Sequence, residues 1–78
     1  MKLPRDVAGL RVVRLLERLG DVIIRQKGSH CRLSFPGPPS HTITVPLHDA
    51  LKVGTLHGIL SEVTQMRPIP MDKLVDLL

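Results

Sequence analysis

Seventy-eight residues, with a net charge of +4, leave room for one hydrophobic core and no second domain. The single cysteine excludes an internal disulfide and a four-cysteine metal site. The single aromatic, Phe35, excludes the stacking platforms of RRM-type and other base-stacking readers. An apolar fraction of 42% is that of a globular chain, and a pI near 10 suits a polyanionic partner gripped through phosphate, sugar and shape. A domain this small buries only about 60% of its unfolded surface, so a bound partner would add to its stability.

The first element is a helix from Asp6 to Leu19. Val12, Leu15, Leu16 and Leu19 recur at i, i+3, i+4 and i+7, while Arg11, Arg14, Glu17 and Arg18 fall largely on the other side. Asp6 is its expected N-cap and Gly20 its stop, with Gly9 weakening the first turn. Val22-Ile23-Ile24 opens a strand running to about Lys27. A second strand follows from Ser29 to Phe35 and a third from His41 to Val45. Between those two, Pro36-Gly37-Pro38-Pro39-Ser40 makes a turn, and Pro46 closes the third strand. Thr55 is the expected N-cap of a second helix carrying Leu56, Ile59, Leu60 and Val63. Pro68 and Pro70 break it, and Met71 to Leu78 form a short terminal helix.

Strand alternation sorts the residues. Cys31, Leu33 and Phe35 share one face of the second strand with Ile43 and Val45 of the third, and helices must cover that face. The opposite face displays His30, Arg32, Ser34, Thr42 and Thr44, with Arg25 or Lys27 nearby. The expected class is α+β: a three-stranded antiparallel sheet with helices on one face. Residues 1–78 read as one domain, its core at about 6–66, with 67–78 a short helical C-terminal extension.

His30 stands among cations, in Arg25-Gln26-Lys27-Gly28-Ser29-His30-Cys31-Arg32. Histidine both gives and takes protons near neutrality, and cationic neighbours point to a negatively charged substrate. Gly28 serves either a sharp turn that projects His30 or a bulge. The four histidines are separated by 11, 7 and 9 residues and lack the short pairs of a zinc site, so no metal or other cofactor is expected. His41 and His57 read as surface residues and Cys31 as an inert core residue. The first residues lack a signal peptide's apolar segment, and no apolar run reaches the roughly 20 residues of a membrane span. Together with the lone cysteine this suggests a cytoplasmic protein with no membrane partner.

Three ordered motifs carry a family resemblance: Arg25-Gln26-Lys27-Gly28-Ser29-His30, Thr44-Val45-Pro46-Leu47-His48, and Lys52-x-Gly54-Thr55-Leu56-x-x-Ile59-Leu60. With Leu3-Pro4-Arg5-Asp6 and Leu15-Leu16-Glu17-Arg18-Leu19-Gly20, the chain from about residue 3 to 66 resembles the HicA (YcfA-like) mRNA interferase toxins. That resemblance implies a double-stranded-RNA-binding-domain-like α-β-β-β-α fold, His30 as the catalytic histidine, mRNA as substrate and a HicB-type antitoxin as partner. Family members usually carry an aromatic where this chain has Asp21, and often a basic residue where it has His57.

RNA cleavage suits these residues because RNA supplies its own nucleophile, the 2′-hydroxyl. The protein must move protons and stabilise phosphorane charge, needing neither a metal nor a protein nucleophile. His30 fits the base or acid role. Arg25, Lys27, Ser29, Arg32 and Lys52 are the candidate phosphate-binding residues, although Ser29 serves equally to satisfy local backbone. His48 is the natural second proton-transfer group or a backbone-bonded loop histidine, and Thr55 a cap or an anion ligand at a helix N-terminus. The expected function is a metal-independent mRNA endoribonuclease, the toxin of a type II toxin–antitoxin system. A non-catalytic RNA-binding module, a decayed toxin, or a protein-interaction domain with incidental charge are the alternatives.

Overall fold

A computed structural model describes residues 2–78. Its elements run α1 (Gly9–Arg18), β1 (Val22–Lys27), β2 (His30–Phe35), β3 (His41–Pro46), α2 (Val53–Met66) and α3 (Met71–Leu77). The strands form one antiparallel sheet in the order β1-β2-β3. This is the α+β, α-β-β-β-α arrangement of the double-stranded-RNA-binding domain, lengthened by α3. α1 packs across all three strands, α2 packs against β3, and α3 packs on α2.

The apolar periodicities explain the core. Val12, Leu15 and Leu16 of α1 meet Cys31, Leu33, Ile43 and Val45 of the sheet, and Leu56, Ile59, Leu60 and Val63 of α2 complete the layer. Of the five positions that alternation assigns to the far face, His30, Arg32, Thr42 and Thr44 are exposed and Ser34 is half-buried. The covered and open faces thus follow directly from period-two alternation.

The helix starts differ from their sequence expectation. α1 begins at Gly9 with Ala8 as its N-cap residue, and Asp6 lies in a left-handed conformation (φ 58°) outside the helix. The reason is a strap: Gly9 donates its amide to the His48 carbonyl (2.9 Å) and Leu51 donates to the Val7 carbonyl (2.7 Å), pinning residues 7–9 against the loop after β3, with Ala8 extended. Gly9 is required by this approach, since a Cβ there would lie 1.8 Å from the Pro46 carbonyl oxygen. α2 begins two residues before Thr55, with Lys52 as its N-cap residue and no side-chain cap. Thr55 is therefore already helical. Pro46 is the last strand residue, paired with His30, rather than the residue beyond it.

The C-terminal segment is built into the core. Leu74 is fully buried, and Arg11 and Arg18 of α1 reach across to the backbone oxygens of Leu78 (2.7 Å) and Leu77 (2.6 Å). These guanidinium groups meet the carbonyl end of α3, where a helix leaves acceptors unpaired.

Asp21 and Arg67 are the buried charged residues, each 5% exposed. They form a bidentate pair, with Nη2 donating to Oδ2 and Nη1 facing Oδ1, both at 2.7 Å. Oδ1 and Nη1 have no other partner, so each depends on the other. Arg67 also lies 3.8 Å over the Phe35 ring and donates from Nε to His41 Nε2 at 3.0 Å. His41, expected at the surface, is instead half-buried in this cluster, its ring 5.7 Å from that of Phe35.

Removing one partner strands a buried charge, whereas removing both removes the desolvation cost as well. Asp21→Leu alone and Arg67→Met alone are each expected to cost about 3–5 kcal/mol. The double variant should recover most of that loss. Urea unfolding of the three variants and wild type checks this; purely additive losses would show that the pair is not coupled.

Candidate functional site

The open face of the sheet holds a pocket of about 200 Å³ lined by Arg25, Lys27, His30, Arg32 and Thr44. Strand register explains why these residues converge. Lys27 pairs with His30 and His30 with Pro46, making one row across the sheet. Arg25 pairs with Arg32 and Arg32 with Thr44, making the next. Directly opposed residues on antiparallel strands project to the same face.

β1 reaches this register through a bulge. Val22 and Ile23 pair with Ser34 and Leu33, and Arg25 pairs with Arg32, so Ile24 is the extra, unpaired residue. Strict alternation from Ile23, which opposes core Leu33, would send Arg25 and Lys27 to the covered face. The bulge shifts the phase by one residue and aims both cations at His30, the re-aiming that bulges perform beside functional sites. Sequence alternation left open which of the two lay near His30. The register brings both there.

The other end of the site is set by the hairpin turn. Gly28, at φ +57°, and Ser29 are the two turn residues between β1 and β2. A positive φ at the first central position only is the type II′ pattern that glycine favours. Gly28 is therefore a turn glycine, not the bulge residue. Ser29 lies outside the pocket lining, and its carbonyl accepts the amide of Leu47. That bond brings the loop after β3 to the His30 end of the sheet. His48 in that loop is exposed, as are Lys52 and Thr55 at the start of α2, and none of the three lines the pocket.

Charge is strongly segregated. None of the seven acidic residues lies in a strand. On the helical side, Arg14 pairs with Glu17 (2.7 Å), Arg67 with Asp21, and Arg11 and Arg18 with α3. Among the described residues the pocket cations have no carboxylate partner. Arg32 donates from Nη2 to the Thr42 hydroxyl at 3.1 Å, which holds its guanidinium over the open face. Such a site concentrates anions, and a guanidinium fork suits phosphate oxygens. Thr44 belongs to the pocket although it was not among the expected binding residues. Its place in the alternation of β3 was the available signal.

Among the described residues no group of three or more His, Cys, Asp or Glu side chains could hold a metal ion. No helix is long and apolar enough to cross a membrane.

The family described as HicA toxin of bacterial toxin-antitoxin matches residues 9–64. The chain belongs to the HicA toxin family. It is thus a toxin of a toxin–antitoxin system, with an antitoxin as partner. No curated protein and no solved structure matches the chain. The matched residues include every pocket residue, both turn residues and the bulge, while Arg67 and α3 lie beyond them.

Cys31, next to His30 in sequence, points the other way, into the core. Burial pushes its thiol above the usual range. The Glu17 carboxylate adds to the rise, and Arg14 opposes it. Since the thiolate is the reactive form, the native protein should react with iodoacetamide far more slowly than a free thiol, and at the normal rate once unfolded in urea. Rapid native alkylation, read by mass spectrometry, would contradict this placement.

Proposed function

We propose that this HicA-family chain is an endoribonuclease acting on single-stranded mRNA, with His30 as its proton-transfer group and a HicB-type antitoxin as its inhibitor in the cytoplasm. The observation that carries this reading is the acid-free pocket in which His30 stands with Arg25, Lys27, Arg32 and Thr44.

In the reaction, the 2′-oxygen bonds to the adjacent phosphorus as the phosphorus–O5′ bond breaks. The 2′-hydroxyl loses a proton and the departing 5′-oxygen gains one, leaving a 2′,3′-cyclic phosphate and a 5′-hydroxyl. Histidine is the residue type suited to proton transfer near neutrality, and His30 is the histidine lining the pocket. Arg25, Lys27 and Arg32 counter the charge that grows on the phosphoryl oxygens. Ser29, Lys52, His48 and Thr55 lie outside the pocket and are assigned at most to more distant stretches of the RNA backbone.

Purified wild type and His30→Ala are to be incubated with a long single-stranded RNA in EDTA and the new ends mapped. Wild type is expected to cut and leave cyclic-phosphate ends, with the variant slower by about 10²–10⁴-fold. Equal cutting by the variant would sink the role of His30. Cutting that EDTA abolishes would sink the metal-free mechanism. If neither protein cuts but both bind RNA, the chain is a binding module or a decayed toxin.

The cations have a separate readout. Each phosphate contact on a single strand contributes about −0.7 to the log–log dependence of affinity on salt. Arg25→Ala and Lys27→Ala should each make that slope shallower by about this amount. An unchanged slope would remove the residue from the phosphate site.

A further inference from the structure

The open face continues past the pocket. One strand step, about 6.6 Å, beyond the Arg25–Arg32–Thr44 row lies a third row, Val22–Ser34–Thr42. Its character changes abruptly from cationic to aliphatic and hydroxylic. Val22 is 58% exposed there, and Ile24, the unpaired residue of β1 between the two rows, is 54% exposed. Two large aliphatic side chains in water are costly for a domain with so small a core, and neither packs on the helices. Across the row, Ser34 is half-buried and Thr42 exposed. The Thr42 oxygen already accepts from Arg32, which leaves its hydroxyl hydrogen free to donate away from that guanidinium.

A phosphate held by Arg25 and Arg32 carries its ribose and base with it. The neighbouring surface offers what a base needs once aromatic stacking is unavailable: an aliphatic floor for its face and hydroxyls for its edge. The cations place a polyanion on this face, and the strip is continuous with the pocket that would hold it. We infer that Val22, Ile24, Ser34 and Thr42 form a nucleobase subsite beside the phosphate pocket, which sets the base preference of RNA binding on the sheet. The inference rests on the reading of the pocket as an RNA site.

The test uses binding, so it does not depend on cleavage. Labelled 2′-O-methyl RNA octamers, whose nucleophile is blocked, are titrated with wild type alongside the same backbone lacking bases. Wild type should bind the base-bearing octamers about tenfold more tightly than the abasic one, the scale of burying a modest aliphatic contact. The double variant Val22→Ser/Ile24→Ser should reduce that ratio to within about twofold. Thr42→Val, which keeps the side chain's shape and suits a strand, should instead even out the differences among A, C and U octamers. Arg25→Ala should weaken intact and abasic octamers alike. Thermal melts confirm that each variant is folded.

Equal affinity of wild type for intact and abasic octamers would overturn the subsite and leave the strip to a protein partner. So would a ratio undiminished in the double variant. Base-dependent binding by a protein that never cuts RNA would uphold the subsite while defeating the proposed cleavage. Cutting without any base dependence would do the reverse.

Discussion

The Asp21–Arg67 pair holds together parts of the chain that the apolar core leaves separate. Asp21 sits at the junction of α1 and β1, and Arg67 at the end of α2. Through its ring contact with Phe35 and its bond to His41, Arg67 also fixes the far ends of β2 and β3. A bidentate pair sealed from water is strongly directional, because a small rotation of either group leaves a buried charge unmatched. In a domain of this size, where aliphatic contacts tolerate sliding, such a constraint specifies where α2 ends against the sheet. α3 then follows from Arg67, and its Leu74 closes the core.

The pair has a consequence for charge. On the helical side Arg67 and Arg14 are neutralised by Asp21 and Glu17, while Arg25, Lys27 and Arg32 keep their charge uncompensated on the sheet. The sheet carries no acid to offset it. A net charge of +4 spread evenly would be a weak attractor, but an acid-free concave patch focuses the same charge on one face. The internal ion pairs and the exposed pocket are thus two parts of one distribution.

Much of this was legible in the sequence. The order of elements, the covered and open sheet faces and the exposure of His30 all followed from apolar periodicity and from Gly and Pro punctuation. Three features were not. The start of α1 depends on the strap to residues 46–51, a long-range backbone contact that overrides the capping preference of Asp6. The burial of His41 depends on Arg67, 26 residues away, and no local pattern announces it. The aim of Arg25 and Lys27 depends on a bulge, and alternation read along β1 alone cannot reveal a change of phase. Register is a property of two strands, so its signal lay in the hairpin as a whole: the tight Gly28-Ser29 turn fixes Lys27 against His30, while Ile23 must still meet Leu33.

That conflict of phase explains why Ile24 is left out of the ladder. The turn dictates the face of Lys27 and Arg25, while Ile23, itself 37% exposed, stays in register with core Leu33. One residue too many lies between them, and it must be expelled from the ladder. A polar residue there would satisfy the backbone geometry equally well. An isoleucine beside Val22, at the rim of a cationic pocket, adds apolar surface that the fold itself does not use. In a chain with one aromatic, already covered by Arg67, aliphatic side chains displayed by a bulge are the remaining means of offering a base a dry face.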